Sequence, residues 1–195
     1  MIVQANLKPS KQCSVAAHSA NGVLSQITKS FHYRDKRTFM QLYKQYVRPH
    51  LEFAVPAWSP WTAADKDRLE KVQERAVRMV SGLKASTYEE RLAELGLPSL
   101  ELRRRHYDLA QAYKIINGKD NVERSTWFEL TRSDPARVTR ASQDPNNIKK
   151  QAPKTDIRKY FFSNRVVEEW NSLPKEVKSS KNVKVFKKEL ETYIK

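Results

Sequence analysis

Apolar residues recur every three to four positions along most of this chain, so helical periodicity dominates. Cys13, Ala16, Ala17, Ala20, Val23, Leu24 and Ile27 predict a first helix, with Ser10 as its cap. Asp35 can cap a second, whose face is Phe39, Leu42, Tyr43, Tyr46 and Val47 and which Pro49 should end. Leu51 to Val55 reads as a short apolar helical turn before the breaks at Pro56 and Pro60. Thr62 with Asp65 approximates a capping box for a long helix with Leu69, Val72, Ala76, Met79 and Val80 inward. Gly82 stands where a left-handed stop is wanted. Ser86 and Glu89 suggest a capping box for a shorter helix ending at Gly96. Ser99 starts another long one carrying Leu100, Tyr107, Ala110, Tyr113 and Ile116, closed by Gly118.

The pattern lapses after Leu130. Thr131 to Thr155 holds Pro135, Pro145 and Pro153 among polar residues, with almost no apolar side chains, and reads as a loop or disordered linker. Helical spacing resumes near Arg158 with Phe161, Phe162, Val166, Val167 and Trp170, up to Leu173-Pro174. A last helix is expected over Val183 to Tyr193, with Phe186 and Leu190 as its buried stripe. The expected fold is mainly α: basic helices over 1–61, a helical bundle over 62–130, a flexible basic linker over 131–157 and C-terminal helices over 158–195 that pack back on the bundle.

Charge changes this picture more than composition does. The 195 residues are 39% hydrophobic and 30% charged, enough for a modest core, but the net charge is +15. It is divided as +6 over 1–61, +1 over 62–130 and +8 over 131–195. The middle is an ordinary solvated helical surface, and both ends favour a polyanionic partner. A single cysteine, Cys13, permits no internal disulfide, and it lies on an apolar helical face as a small core residue. No apolar run approaches the roughly 20 residues of a membrane span, and no secretory leader is visible. An intracellular, soluble protein without a membrane partner is therefore expected. His18, His32, His50 and His106 do not fall at ligand spacing, so neither a metal nor another cofactor is expected.

The most informative stretch is Leu42 to Gln73, a helix–proline–tryptophan–helix unit. Its blocks are Leu42-Tyr43-Lys44, Val47-Arg48-Pro49-His50-Leu51-Glu52, Trp58-Ser59-Pro60 and Leu69-Glu70-Lys71-Val72-Gln73. Others flank them: Asn6-Leu7-Lys8-Pro9-Ser10, Tyr88-Glu89-Glu90-Arg91-Leu92, Leu95-Gly96-Leu97 and Tyr113-Lys114-Ile115-Ile116-Asn117-Gly118. Phe161-Phe162-Ser163-Asn164-Arg165-Val166-Val167 and Trp170-Asn171-Ser172-Leu173-Pro174 complete the series. In this order they resemble the region downstream of the polymerase core in reverse transcriptases of non-LTR, jockey-like (LINE-type) retrotransposons. The resemblance implies a thumb, a helical domain behind it and a nuclear location. It also implies RNA, DNA or an RNA–DNA hybrid as partner, without sequence specificity. The family's catalytic palm holds Mg²⁺ on an adjacent aspartate pair. No Asp-Asp pair occurs here, so the expectation is a truncated, non-catalytic remnant in which Mg²⁺ would belong to the absent palm.

In the thumb position by resemblance lie Lys8, Lys11, Lys29, Arg34, Lys36, Arg37, Lys44 and Arg48. A thumb grips a duplex through its backbone, which calls for cations rather than base readers. Taken singly each reads as a solvated charge; as a cluster they are candidates for phosphate contact. Lys149, Lys150, Lys154 and Arg158, with Lys159 and Arg165 nearby, are either a flexible basic grip or a solvated tether. Tyr33, Tyr43, Tyr46, Trp58 and Trp61 could stack on bases, but Tyr43 and Trp58 have apolar neighbours and read as packing. Arg103-Arg104-Arg105 would fan around a helix by about 100° per residue and reads as a solvated face. Two other functions stay open. One is a self-associating interaction module with an apolar patch around Phe53, Val55 and Trp58. The other is a mobile-element remnant without a selected role.

Overall fold

The structure is a computed structural model that describes residues 1–131 and 144–194. Among them the fold is mainly α. Helices α1 (Ser10–Ser30) and α2 (Lys36–Leu42) are followed by a π-helical turn (Tyr43–Val47), then α3 (Arg48–Glu52), α4 (Val55–Trp58), α5 (Ala63–Arg78) and α6 (Tyr88–Leu95). After these come α7 (Leu100–Ile116), α8 (Arg124–Trp127), α9 (Asp156–Lys159), α10 (Phe162–Arg165), α11 (Val167–Ser172), α12 (Lys175–Lys178) and α13 (Val183–Tyr193). The chain divides into two compact units, Met1–Arg104 and Arg105–Lys195, with the division inside α7. The segment boundaries drawn from composition, at 61, 130 and 157, do not coincide with it.

In the first unit α1 lies against α5, α3 and the π turn. Its inward face is Cys13, Ala16, Ala17, Ala20, Leu24 and Ile27, and the small residues let neighbouring backbones come close. Ser10 does not cap this helix. Pro9 occupies the cap position, and the Ser10 hydroxyl instead donates to Asp65 Oδ2 at 2.6 Å. Asp35 does cap α2, accepting from Thr38 N. Pro49 does not end the helical path as expected. A proline ring collides with the carbonyl four residues back and offers no N–H, and here the widened turn over Tyr43–Val47 lets the path continue into α3.

The capping box of α6 is Thr87 with Glu90, one residue beyond the expected Ser86 and Glu89. Gly96 and Gly118 adopt positive φ just past α6 and α7, as those helix ends require. Gly82 has positive φ too, but α5 already ends at Arg78 with Met79 as its cap, so this glycine serves the turn that follows rather than the stop itself. Ser99 supports the start of α7, its Oγ accepting from Leu102 N at 3.2 Å.

The second unit is built on one apolar cluster that includes Leu109, Tyr113, Ile116, Phe128, Ile148, Phe162, Val166, Trp170, Phe186 and Leu190. Tyr113 stacks on Phe186 with ring centroids 4.3 Å apart. Residues 132–143 of the expected linker lie outside the described residues. Residues 144–157 are not solvated throughout: Ile148 is buried in the cluster and bridges Leu130 in antiparallel fashion. Asn171 fixes it by accepting from Ile148 N at 2.8 Å and donating to Ile148 O at 2.9 Å. Burying that one side chain contributes about 1.5–3 kcal/mol, which is why the polar composition of the segment misleads. The helix expected from Arg158 onward is broken into α9, α10 and α11, whereas α13 spans the expected residues.

Candidate nucleic-acid interface

Asp35 starts α2, and helical spacing then places Lys36 with Met40, Arg37 with Gln41, and Met40 with Lys44. With Leu95 from α6 these side chains line an open groove of about 480 Å³. The groove therefore gathers three of the cations singled out in the sequence: Lys36, Arg37 and Lys44. Lys36 is paired with Glu94 at 2.7 Å, and that ammonium holds the Glu94 carboxyl below its usual range. Both partners are more than half exposed, so a phosphate can compete for Lys36 at little cost. Lys36 and Arg37 also stand in the first turn of a helix, where the dipole disfavours a cation by about 0.3–1 kcal/mol. Helix stability is not what places them there.

The other amino-terminal cations do not join this groove. Lys11 and Lys29 stand near opposite ends of α1, about 27 Å apart along the axis at 1.5 Å per residue. Lys8 is exposed ahead of that helix, and Lys29 complements its C-terminal dipole. Arg34 is structural: its Nε donates to Met79 O and its Nη1 to Phe31 O, both at 3.2 Å. Arg48 lies 3.6 Å from Glu52 and Arg103 also pairs with Glu52, so both are engaged inside the first unit.

In the second unit Lys149 pairs with Glu129 at 2.7 Å and Lys150 with Glu168 at 2.5 Å. Lys154 is exposed. Arg158 donates to Gln151 Oε1 at 3.2 Å, and its guanidinium sits 5.4 Å from the centre of the Phe161 ring. Lys150, Gln151, Lys159, Tyr160, Asn164 and Arg165 belong to the wall of a second cavity, of about 770 Å³. Tyr160 and Phe161 stand outside the set of rings that the sequence offers for stacking, although the run Arg158-Lys159-Tyr160-Phe161 carries the signal, two cations followed at once by two rings.

Among Tyr33, Tyr43, Tyr46, Trp58 and Trp61, Tyr43 and Trp58 are buried packing residues, as their apolar neighbours imply. Burial, with the Glu52 charge nearby, pushes the Tyr43 phenol well above its ordinary pKa. The apolar patch expected around Phe53 does not exist in that form. Val55 is 0% and Trp58 5% exposed, and Trp58 Nε1 donates to Phe53 O at 2.8 Å, leaving only the Phe53 side chain outward at 76%. The three consecutive arginines are not a solvated face either. Arg103 engages Glu52, Arg104 is buried, and Arg105 pairs with Glu169 at 2.6 Å.

Cys13 is buried, and burial pushes its thiol up to about 12, so it is not a nucleophile. Among the described residues no group of three or more His, Cys, Asp or Glu side chains could hold a metal ion, and no helix is long and apolar enough to cross a membrane. No family model, curated protein or solved structure matches the chain.

Proposed function

We propose that this chain grips the sugar–phosphate backbone of a template–primer duplex through the α2 groove, as the thumb-like region of a non-LTR RNA-directed DNA polymerase, and performs no catalysis itself. The observation that carries this is the convergence of Lys36, Arg37 and Lys44 on one concave surface, two of them at a helix start that electrostatics disfavours. Support for the family comes from the ordered sequence blocks, and support for a non-catalytic role from the lack of paired aspartates. Three cations on one open groove fit backbone contact, which positions a duplex without reading its sequence.

Fluorescence anisotropy with a labelled RNA–DNA hybrid, repeated from about 50 to 200 mM salt, tests the proposal. Binding is expected at low salt and should weaken steeply as salt rises. The triple variant Lys36→Glu, Arg37→Glu, Lys44→Glu should bind the hybrid far more weakly with unchanged helix content by circular dichroism. No binding at low salt, or full affinity in the triple variant, sinks the proposal. A primer-extension assay with Mg²⁺ should give no incorporation.

A further inference from the structure

The cavity of the second unit differs in kind from the α2 groove. Its volume, about 770 Å³, lies within the ~300–1,000 Å³ of sites that enclose small ligands. That is the scale of nucleotides and too small for a duplex. Its frame is fixed from behind. Arg165 grips Asp108 with Nε and Nη2, both at 2.8 Å, and donates through Nη1 to Tyr160 O at 3.1 Å. Asn164 Nδ2 donates to Arg158 O at 2.6 Å. The cations that remain at the mouth, Lys150 and Lys159, are exposed. Lys150 pairs with the exposed Glu168, a pairing that a phosphate can replace, and Lys159, whose charge also acts on Glu168, rests with Nζ 5.3 Å from the centre of the Tyr160 ring. Beside them Phe161 stacks parallel to Trp127, with centroids 6.1 Å apart, and faces Arg158.

The ring in the cavity wall itself is Tyr160, with Lys150, Lys159 and the Glu168 carboxylate around it. A ring flanked by cations at a concave surface is what single-stranded nucleic acid uses: phosphates meet the charges, and unpaired bases stack on the ring whatever their sequence. We infer that this cavity takes a single-stranded nucleic-acid segment, its phosphates at Lys150 and Lys159 and a base stacked on Tyr160. The inference rests on the reading of the chain as a nucleic-acid binder, and it assigns this part of the surface to the unpaired strand rather than to the duplex.

The test uses the whole chain and labelled oligo-dT and oligo-rU, each about ten nucleotides long, beside the RNA–DNA hybrid. Lys150→Glu with Lys159→Glu, and separately Tyr160→Ala, should weaken single-strand binding about tenfold each while hybrid affinity holds. Tyr160→Phe keeps the ring and should bind as the parent does. Far-UV circular dichroism confirms that each variant is folded, and the lysine pair, being exposed, stands in if Tyr160→Ala unfolds. If the hybrid binds but single strands do not, or if the variants leave single-strand affinity unchanged or lower both affinities alike, the inference is wrong and the duplex proposal stands. If neither probe binds at low salt, both are wrong.

Discussion

Gln73 is wholly buried, and its amide makes its hydrogen bonds inside the first unit. Its Oε1 accepts from the Tyr43 hydroxyl at 2.7 Å, while its Nε2 donates to Tyr88 Oη and to Pro98 O, both at 3.1 Å. Tyr88 in turn donates to Glu70, whose carboxylate accepts from Leu100 N and so caps α7 from a different helix. An unpaired buried polar atom costs about 1–3 kcal/mol. Tyr43→Phe, which strands one acceptor, is therefore expected to lower stability by about that much in urea unfolding. Gln73→Leu strands several groups at once and should cost more. Backbone conformation supplies a paired test. Ala54 has φ 53° without being glycine, and Gly96 has φ 59° with open space where a Cβ would stand. Ala54→Gly should raise the unfolding midpoint and Gly96→Ala should lower it, each by about 1 kcal/mol or less in stability. Neither Gln73 as a hub nor the strain at Ala54 was legible in the sequence, because both follow from which helices meet.

The long amphipathic elements α1, α5, α7 and α13 were legible, since each carries enough turns for a stripe to stand out from its surroundings. The short ones were not. Helices α8 to α12 have four to six residues each, too few for a period to declare itself, and are held by tertiary contacts such as Trp170 Nε1 donating to Asn146 O at 2.8 Å. The capping box of α6 is ambiguous by one residue in the sequence, because Ser86/Glu89 and Thr87/Glu90 both satisfy the pattern. Starting the helix at Tyr88 is the choice that accompanies the Tyr88–Glu70 bond and the seating of Arg91 Nε on Leu83 O.

At the same scale, α12 delivers Lys178 into the interior, where its ammonium donates to Asp144 Oδ2 at 3.0 Å and Asn147 Oδ1 at 2.7 Å. Burial pushes the Asp144 carboxyl up, but the Asn146 N–H and the Lys178 charge outweigh it and hold the group below its ordinary 3.8. A carboxyl depressed in the folded state adds stability that is complete above its unfolded pKa and lost as pH falls through the folded value. Stability measured by urea unfolding should therefore fall on acidification below about pH 4, and Asp144→Asn should flatten that slope. Lys178→Met leaves a buried carboxylate unpaired and is expected to cost about 3–5 kcal/mol.

For the whole molecule, the sequence thirds suggested two basic ends around a neutral middle. Counted by structural unit the charge is even: Met1–Arg104 holds 17 Lys and Arg against 10 Asp and Glu, and Arg105–Lys195 holds 20 against 12. Each unit has a positive field of its own. Reversing Lys36, Arg37 and Lys44 should accordingly leave residual, salt-sensitive binding, with the log–log salt slope reduced by about three. Three members of the groove were legible as cations, but which of eight would converge was not, because that depends on Leu95 arriving from α6. Lys159, Tyr160 and Phe161 are harder to read for the opposite reason: in an expected helix from Arg158 the rings count as packing residues, and the cavity wall at Tyr160 exists because that helix is broken into α9 and α10.

The widened turn at Tyr43–Val47 carries one residue more than an α-helical path needs, and Arg48 N reaches back five residues to Tyr43 O. That surplus keeps the Pro49 ring off the carbonyl behind it, so the turn and the proline belong together. Deleting Gln45 would force the turn back to ordinary α-geometry, press that ring against the carbonyl four residues back and kink the path. The α2 face that buries Phe39 and Met40 would be displaced along with the groove. A deletion here is therefore expected to cost stability and hybrid binding together, whereas the charge reversals in the groove cost binding alone.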